Sequence, residues 1–382
     1  MFKGFNNVNV YVEGLGIVKK SVHVEDGKIS AINDEKDDTL LSLDDDLIVV
    51  PGFIDKHVHG ANHSDGMYPT IKDIENIATT IASEGVTSFL ITTMTQTVEN
   101  ITKALENAKD YINNHNTEGA RALGVHLEGP FISKKYKGAQ PEECIIPCDV
   151  DLFKEFQKAS GDTIKQVTLA YEENGKELVR YLKSQNIVAS LGHTDATAEQ
   201  ALEGIKEGIT SATHTYNAMR PIHHREAGTL GAVMISDEVY CELISDLVHV
   251  SVPAIKLLFK AKGKEKIIAV TDAMESKHLP SGKYQLGGQE VYVEGNEARL
   301  ADGTLAGSTL FMNHGLKNLY EVTGLKFEEV IDLATKNPAK NLNIYDTKGS
   351  INLGKDADFV VVDKDFNVYM TIREGKVIYK RK

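Results

Sequence analysis

The chain has 382 residues, 41% hydrophobic and 25% charged, with 55 acidic against 42 basic side chains and a formal charge of −13. That balance excludes a disordered or collagen-like chain and a helical membrane protein, and it argues against nucleic acid, whose phosphates need a basic surface. The length suits a barrel of roughly 250 residues with a smaller satellite. Cys144, Cys148 and Cys241 fit no common zinc or redox spacing and read as free thiols. The opening Met-Phe-Lys-Gly-Phe-Asn-Asn lacks the apolar core and cleavage site of a signal peptide, so the expected compartment is the cytoplasm, with no membrane partner.

Residues 7–12, 17–24 and 28–33 alternate as short strands around Gly-rich or acidic turns, and 357–363, 368–372 and 376–379 do the same. The expectation is a small β-sandwich domain made from both chain ends, 1–50 and 346–382, with everything between inserted into it. From 51 to 345 apolar runs alternate with amphipathic stretches, the pattern of parallel βα units. The runs are 47–50, leading toward His57, then 86–91, 123–127, 166–170, 187–191, 209–213, 239–244 and 267–270. Helices are expected over 71–83, 98–113, 151–159, 196–206 and 253–262, and, beyond a β-hairpin at 281–303, over 308–322, 326–336 and 337–343. The fold class is therefore α/β, a (β/α)8 TIM barrel.

The ends of the runs carry the chemistry. His57 and His59 stand one residue apart, which on an extended strand puts both imidazoles on one face at a spacing that suits a metal. Glu128 follows the third run, His193 the fifth, His214 the sixth, Asp246 and His249 the seventh, and Asp272 the eighth. Residues after barrel strands converge on one mouth, and a cluster of imidazoles and carboxylates there points to a metal site. His126 is expected inside the barrel, Glu172 and Glu173 as support or surface, His223 and His224 as a polar loop, and Lys134 to Lys137 as a solvated loop placed where a lid would lie.

Five motifs bear a family resemblance: Val125-His-Leu-Glu128-Gly-Pro-Phe131, Gly192-His193-Thr194, Thr213-His214-Thr-Tyr-Asn217-Ala218-Met219, Asp246-Leu-Val-His249 and Val270-Thr-Asp272-Ala273. Over essentially the whole chain these resemble the N-acetylglucosamine-6-phosphate deacetylase family of the amidohydrolase superfamily. The resemblance implies a divalent cation (Zn²⁺, Fe²⁺, Mn²⁺ or Co²⁺) held by Glu128, His193 and His214. A second would lie at His57 and His59 with Glu128 bridging, giving one or two ions per subunit. It makes Asp272 the general base toward metal-bound water and then the acid toward the leaving amine. The implied substrate is a phosphorylated amino sugar, N-acetyl-D-glucosamine 6-phosphate, cleaved to D-glucosamine 6-phosphate and acetate in amino-sugar catabolism and cell-wall recycling.

The same resemblance assigns substrate contacts to Ala139, Gln140, Asn217, Ala218, Arg225, Asp246 and His249, and to the loop Leu305-Ala306-Gly307-Ser308. In relatives the arginine can come from a neighbouring subunit, which implies a homodimer. Gln140 departs from the histidine that many bacterial relatives carry; an amide donates a hydrogen bond but does not titrate. The alternatives are a deacetylase for the galactosamine epimer, a cyclic-amide hydrolase, which usually recruits a carboxylated lysine, and a barrel kept only for binding.

Overall fold

In the computed structural model, which describes residues 2–382, eight parallel strands pair in chain order. They are β1 Phe53–Val58, β2 Val86–Thr92, β3 Arg121–Glu128, β4 Ile164–Leu169, β5 Val188–Leu191, β6 Ile209–Ala212, β7 Tyr240–Ile244 and β8 Ile267–Val270. The ring closes just beyond β8, where Asp272 N–H donates to His57 C=O at 2.8 Å and His59 N–H donates to Ala273 C=O at 2.9 Å. Val58 and Ala273 are bridge partners at that seam. Helices cover the outside, as the amphipathic stretches require. Local signals set several starts: Asp149 caps Val150–Ala159 by accepting from Asp151 and Leu152 N–H, and Thr197 forms a capping box with Gln200 at Ala198–Glu207.

The expected first barrel strand needs correction. The run at 47–50 belongs to Ile48–Pro51, which pairs with Gly4–Val12 and Phe359–Val362 in a different sheet, and β1 begins only after Gly52. The run at 48–51 is apolar because it is buried on both faces, as a barrel strand would be, so hydrophobicity could not tell which sheet it joins. Gly52 makes the step between sheets, where a Cβ would sit 2.1 Å from Thr87 Oγ1. Two helices were also not expected. Gly175–Ser184 follows β4, and Gly228–Ile235 has no amphipathic period because Gly228 to Met234 are all buried.

The two chain ends meet in one seven-stranded ladder. Its order is Lys376–Lys380, Val368–Arg373, Phe359–Val362, Ile48–Pro51, Gly4–Val12, Gly16–Glu25 and Lys28–Asn33. Alternation serves two cores at once: Val49, Phe359 and Val361 face a core of this sheet's own, while Ile48, Val50, Val360 and Val362 join the barrel's. Beyond β8 the expected hairpin gains a third strand, giving Gly282–Leu286, Gln289–Glu294 and Glu297–Arg299. This small sheet lies against the barrel mouth, with Gln289 Nε2 donating to Ala139 C=O at 2.5 Å and Gln96 Nε2 to Gly287 C=O at 3.1 Å. Among the described residues no helix is long and apolar enough to cross a membrane.

Candidate metal centre and active site

Three strands end in the same way. His193, His214 and Asp272 each lie two residues past β5, β6 and β8, and each has a left-handed backbone, with φ of 48°, 29° and 48°. A non-glycine residue held there costs about 1–3 kcal/mol, a cost that clusters at functional sites. Here the turn redirects each side chain from the strand face into the mouth. Glu128 is the last residue of β3, while His57 lies within β1 and His59 just past it, so no such turn is needed for them.

The side chains converge on Glu128. Its Oε1 lies 3.3 Å from His214 Nε2, 3.4 Å from His57 Nε2 and 3.6 Å from His193 Nε2, and its Oε2 lies 3.2 Å from His59 Nε2. The Nε2 atoms of His193 and His214 are 3.0 Å apart, and those of His57 and His59 are 3.4 Å apart. Asp272 Oδ1 completes the second pair, 3.3 Å from His57 Nε2 and 3.2 Å from His59 Nε2. Two triads with one shared member, His57–His59–Glu128 and Glu128–His193–His214, thus have all donor atoms mutually within 4.8 Å, and all are buried.

Glu128 Oε1 tests whether this set fits a metal. It is buried without a hydrogen bond although three imidazole nitrogens surround it. A buried carboxylate oxygen left so is costly unless a cation answers it, and imidazole with carboxylate is a donor set that divalent ions take. The electrostatics agree. Burial opposes charge on His59, but the Asp272 and Glu128 carboxylates beside it raise its pKa to about 9. Burial pushes Asp272 up, yet the His57 and His59 imidazoles hold it at about 2. The pocket favours positive charge, which a divalent ion supplies in place of protons.

A cavity of about 310 Å³ opens above the cluster, and His59, Glu128, His193, His214 and Asp272 form part of its wall. Ala139, Gln140, Asn217 and Ala218 line it from the loops after β3 and β6, and His249, Leu305 and Gly307 from those after β7 and β8. Gln140 is fixed in orientation: Thr95 N–H donates to its Oε1 at 2.8 Å, so its Nε2 is the end that donates to Glu128 Oε2, at 3.1 Å. His57 lies beneath the cavity, fully buried. Ala306 and Ser308 are also buried, and Ser308 N–H donates to Asp272 C=O at 2.8 Å, so this loop steadies the backbone of Asp272.

Two residues expected at the substrate lie elsewhere. Asp246 faces an adjoining hollow, where it accepts from Val248 and His249 N–H, both at 2.9 Å, and pairs with His249 Nδ1 at 2.6 Å; it shapes the loop that carries His249. Arg225 is exposed, beside His224, and does not line its own chain's cavity. His126 is interior as expected, with Nε2 at 2.7 Å from Thr168 Oγ1. Glu172 accepts from Thr194 Oγ1 at 2.6 Å and from Asp195 N–H at 2.5 Å, a supporting role. In the basic loop, Lys135 and Tyr136 line the cavity, and Tyr136 C=O meets His193 Nδ1 at 2.9 Å.

The family described as Amidohydrolase family matches residues 48–378, most of the chain. The chain belongs to the amidohydrolase family. Within it, the N-acetylglucosamine-6-phosphate deacetylase of Bacillus subtilis (strain 168) is 43% identical over 380 residues, covering 98% of this chain and 96% of that protein. The N-acetylgalactosamine-6-phosphate deacetylase of Escherichia coli O157:H7 is 35% identical over 357 residues, 93% of this chain and 94% of that one. The crystal structure of N-acetylglucosamine-6-phosphate deacetylase from Thermotoga maritima matches with a TM-score of 0.90 at 37% identity, covering 98% and 99% of the two chains.

Sequence reasoning overlooked a buried charge pair beneath the site of this amidohydrolase. Glu242, in the middle of β7, and Lys56, between Asp55 and His57, are both fully buried and pair at 3.2 Å. A lone acid inside the apolar run Tyr-Cys-Glu-Leu-Ile was the available signal, since an isolated charge is not buried without a partner.

Proposed function

We propose that this amidohydrolase hydrolyses the acetamide of N-acetyl-D-glucosamine 6-phosphate, releasing acetate and D-glucosamine 6-phosphate. The observation that carries the reading is Glu128 shared between two histidine pairs at the floor of a sugar-sized cavity, with Asp272 against the second pair. The glucosamine epimer is favoured over galactosamine because the relative of that name is the more similar, at 43% against 35% identity.

Glu128, His193 and His214 would hold the principal divalent ion and His57, His59 and Glu128 a second; the ion's chemistry is to polarise the acetyl carbonyl and acidify water. Zn²⁺, Fe²⁺, Mn²⁺ and Co²⁺ all suit these donors. Asp272, kept ionised by its neighbours, accepts a proton from the attacking water and returns it to the departing nitrogen. The second N–H of Gln140 is available to the acetyl oxygen, and it can donate there without changing charge. The loops carrying Asn217, Ala218, His249 and Leu305 to Ser308 hold the sugar.

We assign Arg225 to the cavity of a second copy of the chain. It is exposed and outside its own cavity, so a homodimer would bring its guanidinium to the partner's phosphate. Three unpaired thiols and a phosphorylated substrate suit the cytoplasm.

The test is acetate release from phosphorylated and unphosphorylated N-acetylglucosamine and N-acetylgalactosamine, on metal-stripped protein titrated with Zn²⁺ or Mn²⁺. Native protein should turn over the glucosamine phosphosugar in a metal-dependent way. Asp272→Asn should lose about 10²–10⁴-fold in turnover with its metal content intact. Bound metal without turnover of any of the four sugars overturns the reading.

A further inference from the structure

Each triad contains one histidine whose outer nitrogen is engaged. In the first it is His193, whose Nδ1 meets Tyr136 C=O at 2.9 Å. In the second it is His57, whose Nδ1 lies 3.0 Å from Glu242 Oε2. The remaining imidazoles, His59 and His214, have a buried Nδ1 with no partner. Since imidazole presents a lone pair on one nitrogen only when the other carries the proton, these two contacts decide which way each triad faces.

Glu242 is placed as an acceptor from every side. Its Oε1 receives Gln166 Nε2 at 2.8 Å and lies 3.2 Å from Lys56 Nζ, and its Oε2 receives His214 N–H at 3.4 Å as well as facing His57. Lys56 in turn is held by Ser211 Oγ, at 3.2 Å, and by Asn341. With only donors around it, the carboxylate requires the proton of His57 to sit on Nδ1, which leaves Nε2 free toward Glu128 and Asp272. Glu242, Lys56, Gln166 and Ser211 are fully buried, and none of them lines the cavity.

We propose that Glu242, charge-balanced by Lys56, is the positioning residue that makes His57 a metal ligand, so that this one interior carboxylate determines whether the chain holds a second divalent ion. The inference rests on the metal centre in the proposed function but does not require the deacetylase activity. Glu242 touches neither substrate nor metal; the one imidazole it meets is that of His57, at 3.0 Å, and its contact with His214 is a longer one, 3.4 Å, to the backbone N–H. His193, oriented by a backbone carbonyl, is independent of it, so loss of Glu242 weakens the second ion far more than the first.

The experiment measures Zn²⁺ and Mn²⁺ stoichiometry and affinity by equilibrium dialysis with elemental analysis. It adds the electron paramagnetic resonance of the Mn²⁺-loaded protein, in which two neighbouring ions give an exchange-coupled signal. Three proteins are compared: native, Lys56→Met, and Lys56→Met/Glu242→Met, which removes both charges and leaves neither buried alone. The native chain should bind two ions with a coupled signal. Lys56→Met, which keeps the contact to His57, should retain both. The double variant should keep the first ion within about threefold and lose 10–100-fold in affinity for the second, with an uncoupled spectrum. The retained first ion shows that the barrel has folded.

Equal loss of both ions, or equal loss of the second in Lys56→Met and the double variant, makes the pair merely structural and overturns the proposal. So does a double variant that binds two ions as tightly as native, or a native chain that binds only one. None of these results bears on whether the phosphosugar is deacetylated, which the Asp272→Asn comparison reads separately.

Discussion

Replacing Glu84 with Gln should destabilise the protein through a charge cluster remote from the cavity. Glu84 is 1% exposed, and it joins the turn before β2 to the segment after Asp272. Its Oε2 accepts from Met312 N–H at 2.8 Å and lies 2.8 Å from Lys277 Nζ, an ionic contact rather than a well-formed hydrogen bond, while Oε1 lies 2.9 Å from His278 Nε2. Lys277 is fully buried, so the amide variant leaves an ammonium in the interior without its nearest anion. Removing one member of a buried pair costs about 3–5 kcal/mol. Asp55 is the other carboxylate that feels Lys277, and it shifts the expected cost toward the lower figure.

At about 2 °C per kcal/mol for a chain of this size, the midpoint of thermal unfolding should fall by about 6–10 °C. Burial opposes the charge on Glu84, but Lys277 and His278 hold its pKa below the ordinary 4.5. The stabilisation is therefore fully present above that value and lost as pH falls through the lowered native one, so the gap between native and variant should be wide at neutral pH and close in acid. Circular-dichroism melts across that range, with Glu84→Gln/Lys277→Met alongside, check the account. The double variant should recover much of the loss. A single variant that melts with the native protein at neutral pH, or a double variant as unstable as the single, would refute the reasoning.

Metal removal by a chelator should lower the unfolding midpoint, and restoring Zn²⁺ or Mn²⁺ at a thousand times its dissociation constant should return about 4 kcal/mol; a melt indifferent to both would deny the centre a metal. Gly192→Ala should cost about 1–3 kcal/mol and weaken metal binding, because its Cβ would sit 2.7 Å from Thr213 Cβ and 2.8 Å from Thr168 Cγ2 beside His193. Denaturant melts and metal titration read the two effects. Arg225→Ala and Asp272→Asn chains should each be nearly inactive alone, but together recover about a quarter of native turnover if Arg225 serves its partner, since half of randomly mixed dimers then own one complete site. Recovery of nothing would place the arginine's action within its own chain.

Much of the arrangement was legible because period and position carry it. His57 and His59 alternate with Val58, and His193, His214 and Asp272 each stand just beyond an apolar run, so barrel logic alone sends them to one mouth. The illegible parts are those where burial erases the pattern. Ile48–Pro51 looks like a barrel strand because both of its faces are covered, and Gly228–Ile235 shows no helical stripe because every side does the same work. Glu242 hid inside β7 for the related reason that its partners, His57 and Lys56, are distant in sequence and nothing local announces them. Asp246 and Arg225 carried expectations from family motifs, and a motif fixes a residue's place in the chain without fixing where its side chain ends.

The seam between β1 and β8 has a consequence for how the molecule comes into being. The histidine pair lies on one lip of that seam and Asp272 on the other, brought together by the closing contacts of His57 and His59 with Asp272 and Ala273 and by Thr271 Oγ1 donating to Asp55 at 2.5 Å. On the ribosome, the first lip emerges early and waits while every intervening βα unit is made. Any nascent or truncated product that stops short of β8 carries the histidines and Glu128 but has no carboxylate opposite the second pair. On the proposed assignment of Asp272, hydrolytic competence is an all-or-none property of the closed ring, and a cell that degrades incomplete copies loses no partial activity by doing so.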